Sequence, residues 1–164
     1  METRLAIEVR AEGRKLKGYA ARFGVEADIG TFRERIAPGA FRASLGGDVL
    51  ALVDHDASRL LGRTKTGTLR LTEDREGLAF ELDVPDTTLG RDVLAMAERG
   101  DLGGMSFGFT VQDEAWEGRT RELRAVDLRE ISVVHAWPAY PDTDVQARNA
   151  TPALNRARRF LETV

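Results

Sequence analysis

The sequence predicts a β-rich α+β domain, an antiparallel β-barrel of about seven strands flanked by helices. Three observations carry that expectation. Short alternating or wholly apolar segments bounded by turn residues recur through most of the 164 residues. Amphipathic helical spacing is confined to two or three stretches. No strand-helix alternation of the doubly wound kind appears.

The elements follow in order. Leu5, Ile7 and Val9 alternate with polar residues, and a second strand over 17–22 follows the polar stretch 11–14, which predicts an early hairpin. Pro38 ahead of Gly39, Ala40 and Phe41 predicts a short helix with proline in its first turn, stopped by Gly46 and Gly47. The apolar run 49–53 has the length of a strand buried on both faces and ends on Asp54-His55-Asp56. Strands over 68–72 and 78–84 flank a charged turn, and Pro85-Asp86-Thr87 breaks the pattern. Leu89, Val93, Leu94 and Ala97 recur at helical spacing over 88–99, with Gly100 placed to stop the helix.

A long hairpin is expected between Met105 and Val134. Met105, Phe107, Phe109 and Val111 alternate with Ser106, Gly108 and Thr110, so one face is bulky and the other nearly bare, with room for another group. Glu117-Gly118-Arg119 reads as the turn and 128–134 as the returning strand. Beyond Pro138 and Pro141 the chain turns irregular, and 152–164 reads as a terminal helix carrying Arg156, Arg158 and Arg159. The expected organisation is one domain over 1–148 and a tail over 149–164.

Composition excludes several classes of function. Twenty-four basic against twenty-seven acidic residues leave a net charge of −3, with no electrostatic footprint for a nucleic-acid partner. The absence of cysteine removes disulfides, thiolate zinc sites and cysteine nucleophiles. No apolar run approaches the roughly 20 residues of a membrane span, and residues 1–10 lack a basic region followed by an apolar stretch, so a cytosolic chain without a membrane partner is expected. His55 and His135 are the two histidines, the side chains that ordinarily titrate near neutrality.

Three features carry candidate chemistry. Gly104-Met105-Ser106-Phe107-Gly108 matches the G-x-S-x-G pattern of an α/β-hydrolase-type esterase, but a nucleophile elbow needs a helix after its serine, and 107–111 alternates as a strand. Ser106 is otherwise a small residue on a strand face. Asp54-His55-Asp56 supplies a base, a solvated turn residue or a metal ligand. The metal reading lacks both a further histidine at ligand spacing and an H-E-x-x-H pattern. In Leu128-Arg129-Glu130-Ile131-Ser132-Val133-Val134-His135, alternation groups Glu130 with Leu128, Ser132 and Val134, and sets His135 with Ile131 and Val133. Glu130 is then either an edge-strand charge facing water or a buried acid that needs a partner. A turn centred on Gly118 would set Ser106 opposite Glu130, with Cβ atoms about 5 Å apart. His135 would then lie roughly 16 Å along the strand from Ser106. Serine, histidine and carboxylate together make a nucleophile, a base and an orienting group.

The strings Gly18-Tyr19-Ala20 with Phe23, Ile36-Ala37-Pro38-Gly39-Ala40-Phe41, Asp54-His55-Asp56 and Leu61-Gly62-Arg63-Thr64 resemble the prohead proteases of tailed bacteriophages. So do Gly67-Thr68-Leu69, Pro85-Asp86-Thr87 with Gly90-Arg91-Asp92, Arg99-Gly100-Asp101-Leu102, Gly104-Met105-Ser106-Phe107-Gly108-Phe109, Glu130-Ile131-Ser132-Val133-Val134 and Pro138-Ala139-Tyr140-Pro141. They run in family order from residue 18 to 143. The resemblance implies a fold like the herpesvirus assemblin proteases and a serine endopeptidase that cleaves capsid and scaffold proteins, and itself, inside the assembling prohead of the bacterial host. It implies His55 as general base, Ser106 as nucleophile and Glu130 as third triad member, with no cofactor. In assemblin-like enzymes the third member is a second histidine, which keeps His135 as the rival. The oxyanion hole would fall near Ala139 and Tyr140. The major capsid protein and scaffold segments are the expected partners. A homo-oligomer stays open, since assemblin-like enzymes can depend on dimerisation. A catalytically silent assembly or scaffolding component of the same fold is the alternative from another class.

Overall fold

In the computed structural model, which describes residues 1–6 and 9–135, the long hairpin forms the spine. Its strands, β10 (Gly104–Glu117) and β11 (Thr120–Val134), pair antiparallel across a two-residue loop, Gly118-Arg119. β1 (Glu2–Ala6) pairs antiparallel with β10 on one side. On the other side β11 takes two parallel partners at different heights: β5 (Arg33–Ile36) near its start and β6 (Leu50–Val53) near its end. β4 (Ala27–Asp28) extends β5, and β7 (Asp56–Arg63) extends β6 as a hairpin, which completes a seven-stranded sheet. A second sheet of four antiparallel strands has the order β2 (Val9–Glu12), β3 (Lys15–Arg22), β9 (Gly77–Asp83), β8 (Leu69–Glu73).

The two sheets enclose one core. Met105, Phe107 and Phe109 of β10 meet Leu123, Ile131 and Val133 of β11 and Leu16, Ala20, Leu78 and Leu82 of the second sheet, all buried. Phe107 stacks on Phe109 and meets Phe41 edge-on, with ring centres 5.2 and 5.6 Å away. The small face of β10 is thereby turned away from this core.

The β-rich α+β expectation holds, while strand pairing among the described residues does not close into a ring. The helix over 88–99 is α1 (Thr88–Arg99), as its spacing predicts. The Thr87 side chain accepts the Gly90 N–H at 3.1 Å, and Gly100 ends the helix with φ 77°. The helix expected after Pro38 differs. After Pro38 there is only a 3₁₀ turn, Arg42–Ser44, and the terminal helix over 152–164, like the boundary at 148, falls outside the described residues. The N-terminal alternation is divided between β1 and β2, which lie in different sheets. β4, β5 and β7 were not expected. β7 reads Asp-Ala-Ser-Arg-Leu-Leu-Gly-Arg and lacks alternation because its first half is exposed on both faces.

A charged cluster ties the edge of the large sheet together. Glu34 on β5 is 2% exposed and accepts two hydrogen bonds from Arg4 of β1, at 2.5 and 2.7 Å, and one from Arg121 of β11 at 3.3 Å. Glu34 is the most buried acid of the cluster, whose arginines also meet the less buried Glu2 and Glu114. Glu34→Ala removes charge-assisted hydrogen bonds to a buried carboxylate and should lower unfolding free energy by about 1.5–3 kcal/mol in urea titration, above an exposed-pair deletion such as Glu76→Ala.

Candidate active site

The loop between β6 and β7 carries His55. Val53 pairs with Asp56, leaving Asp54 and His55 as a two-residue turn with φ of 51° and 60°, the two non-glycine residues of positive φ among the described residues. Both central residues of such a hairpin turn must be left-handed, a conformation that glycine adopts freely and other residues adopt at a cost of about 1–2 kcal/mol each. Neighbours offset that cost. The Asp54 N–H donates to Val133 O at 2.8 Å, and the His55 N–H donates to Ser132 Oγ at 3.1 Å. The Asp54 carboxylate accepts the His135 N–H at 3.0 Å, contacts His135 Nδ1 at 2.7 Å and takes Arg59 at 3.2 Å. Partial burial pushes the Asp54 carboxyl upward, but the His135 hydrogen bonds and the Arg59 charge outweigh it and hold the group below the usual aspartate range.

The turn sits over the bare face of the hairpin. Register places Ser106 opposite Ser132 and Gly108 opposite Glu130, so the facing expected between Ser106 and Glu130 is corrected. Two displacements account for it. The loop is Gly118-Arg119 rather than a turn centred on Gly118, and a bulge between Gly108 and Phe109 skips Arg129. Each is worth one residue, so together they restore the parity that one alone would reverse, and Ser106 and Glu130 share a face after all. The bulge also separates Glu130 from Leu128, which sequence alternation had grouped with it: Leu128 enters the core, while Glu130 is turned to the face of Ser106.

Gly108 is what admits the carboxylate. A Cβ on Gly108 would lie 2.5 Å from Glu130 Oε1. Glu130 is 4% exposed, and both oxygens are met: Oε1 by His55 Nδ1, and Oε2 by the Ser132 hydroxyl at 2.6 Å. An ionised carboxylate only accepts, so opposite a Glu130 carboxylate Nδ1 is the donor, and in that tautomer of the ring the lone pair lies on Nε2. Nε2 of His55 and Oγ of Ser106 are the two buried side-chain polar atoms without a partner among the described residues. Ser106 is wholly buried. The two serines on this face therefore differ: the Ser132 proton is committed to Glu130, and the Ser106 hydroxyl is uncommitted.

Of the residues singled out in the sequence, His55 and Glu130 are in contact, and Ser106 lies two positions along β10 from Gly108, about 7 Å at strand spacing. His135 is paired with Asp54 rather than with the His55 ring. Ala139 and Tyr140 fall outside the described residues. Sequence reasoning missed Ser132 and Gly108 as partners of Glu130. Strand alternation did put Ser132 beside Glu130, but the hydroxyl's second hydrogen bond reaches the His55 N–H, 77 residues away in sequence, and has no local signature.

A two-sheet β domain with a turn-borne histidine, a buried carboxylate behind it and an unpartnered serine on the same face has the parts of a serine peptidase. The caudovirus prohead serine protease family matches the chain over residues 3–156. The chain belongs to that family, whose members are phage capsid-maturation proteases. No curated protein and no solved structure matches it.

Gly108→Ala is expected to displace the Glu130 carboxylate and break its contact with His55. The cost should be about 1–3 kcal/mol of stability, read by thermal melting, with loss of the hydrogen-bonded His55 Nδ1 proton from the NMR spectrum.

Proposed function

We propose that the chain is a serine endopeptidase in which Ser106 is the nucleophile, His55 the general base and Glu130 the third triad member. The observation that carries this reading is the pair of unpartnered buried atoms, His55 Nε2 and Ser106 Oγ, on the face where Nδ1 of the same ring is held by Glu130. His55 Nε2 takes the Ser106 hydroxyl proton as Oγ attacks the scissile carbonyl. Glu130 keeps the ring in the tautomer that leaves Nε2 free and stabilises the imidazolium that forms. The proton then passes from Nε2 to the leaving amine, and water hydrolyses the acyl-enzyme by the same route in reverse. Ala139 and Tyr140 follow the last triad strand and are proposed to supply oxyanion N–H groups.

Family membership supports capsid proteins as substrates and the prohead as the place of action. The major capsid protein and scaffold segments are the proposed partners, with self-cleavage as a further reaction. Closure of the two sheets into an assemblin-like barrel belongs to the same proposal.

Co-expression with the cognate capsid protein tests the nucleophile. The parent should trim it, and Ser106→Ala should abolish trimming, since loss of a triad member costs several orders of magnitude in rate. Equal trimming by both would remove the serine-protease reading and leave an assembly component. The third member is tested separately. Glu130→Gln should slow cleavage roughly 10³–10⁴-fold, the scale on which loss of the orienting carboxylate acts. His135→Ala should keep activity within about 10-fold, since it retains the backbone N–H that Asp54 accepts. Loss of cleavage in His135→Ala alone would transfer the role to His135.

A further inference from the structure

Ser132 is wholly buried and sits between the three residues of the proposed triad without belonging to it. It is the cross-strand neighbour of Ser106. Its hydroxyl uses both of its functions: the oxygen accepts the backbone N–H of His55 at 3.1 Å, and the proton goes to Glu130 Oε2 at 2.6 Å. One atom thus holds the strained turn that carries the base and the carboxylate that the base meets. The other Glu130 oxygen faces His55 Nδ1, so the contacts close a loop from the His55 backbone through Ser132 and Glu130 back to the His55 ring.

We infer that Ser132 is a positioning residue for the His55–Glu130 pair. It fixes the left-handed backbone of His55 against β11 and holds the Glu130 side chain in the rotamer that keeps the imidazole oriented toward the face of Ser106. Two simpler roles fit the geometry less well. A reserve nucleophile would need its proton directed to the base, and the proton is directed to Glu130. A mere filler of space would need no hydroxyl at all. The inference rests on the proposed catalytic roles of His55 and Glu130, and its test has one readout that depends on those roles and one that does not.

The full-length parent is compared with Ser132→Ala, Ser132→Cys and Ser132→Thr. The first readout is the rate at which diisopropyl fluorophosphate modifies Ser106. The second is the NMR resonance of the His55 Nδ1 proton, assigned with His135→Ala. Ser132→Ala should label roughly 10²-fold more slowly, the scale of a small misplacement of reacting groups, and its Nδ1 proton should shift or exchange away. Ser132→Thr, which keeps the hydroxyl, should return the resonance and most of the rate. Ser132→Cys keeps a side chain of similar size with a much weaker donor and should behave as the alanine variant does, which serves the test if Ser132→Ala does not fold. Parent-rate labelling in Ser132→Ala, or slowed labelling with the Nδ1 resonance unmoved, would overturn the inference. If the parent itself does not label at Ser106, the protease reading falls, while the Nδ1 resonance still decides the role of Ser132.

Discussion

The burial of the Glu130 carboxylate is the constraint around which the outer face of the large sheet is arranged. An ionised carboxylate removed from water is tolerated only where donors replace the lost hydration. At 4% exposure Glu130 has two, the His55 ring and the Ser132 hydroxyl, one on each oxygen. Several local features follow from that requirement. Gly108 is bare because the carboxylate occupies the space of its side chain. His55 is held left-handed, where glycine would be the easier residue, because its ring must reach over the sheet to Oε1. The polar hydroxyl of Ser132 is tolerated inside a run of buried residues because both of its hydrogen-bonding functions are used.

The two faces of β10 and β11 divide stability from chemistry. Phe107, Phe109 and Ile131 give the hairpin a rigid apolar backing shared by both sheets. The opposite face carries Gly104, Ser106 and Gly108 of β10 against Val134, Ser132 and the buried acid of β11. The bulge at Arg129 makes this division possible, since without it Leu128 and Glu130 would fall on the same side and the acid would enter the core. The bulged residue is itself exposed and pairs with Asp127, so the irregularity leaves no charge stranded inside.

Much of this was legible in the chain. Helix α1 has a periodic apolar face, a threonine cap and a terminal glycine, all of which act locally, and its ends fall where those signals put them. The bare face of β10 followed from strict alternation, and the apolar run ahead of Asp54 marked a buried strand. His55 stood out as one of two histidines, Ser106 by its G-x-S-x-G context and Glu130 as an acid within an apolar strand, and the family resemblance implied their roles. Strand β7 was illegible because its first half is exposed on both faces, and the short β4 and β5 because they pair over a few residues and β5 turns a charged Glu34 inward where an apolar residue would mark a strand. The facing of Ser106 and Glu130 came out right in parity and wrong in register, because the two-residue loop and the bulge at Arg129 each shift the pairing by one residue in the same sense.

By itself the sequence determined which chemical groups are available and which face of β10 is bare: no cysteine, two histidines, a serine on a glycine-lined strand and a glutamate in an apolar one. Those properties depend on composition and on a two-residue period, both of which are local. The tertiary structure alone decided the pairings. His55 meets Glu130 while His135 meets Asp54, and Ser132 rather than Ser106 gives its proton to the acid. The physical reason is that β6 runs parallel to β11, a contact between segments about 80 residues apart whose register no local pattern encodes. That register sets which side chains lie within the roughly 3 Å reach of a hydrogen bond.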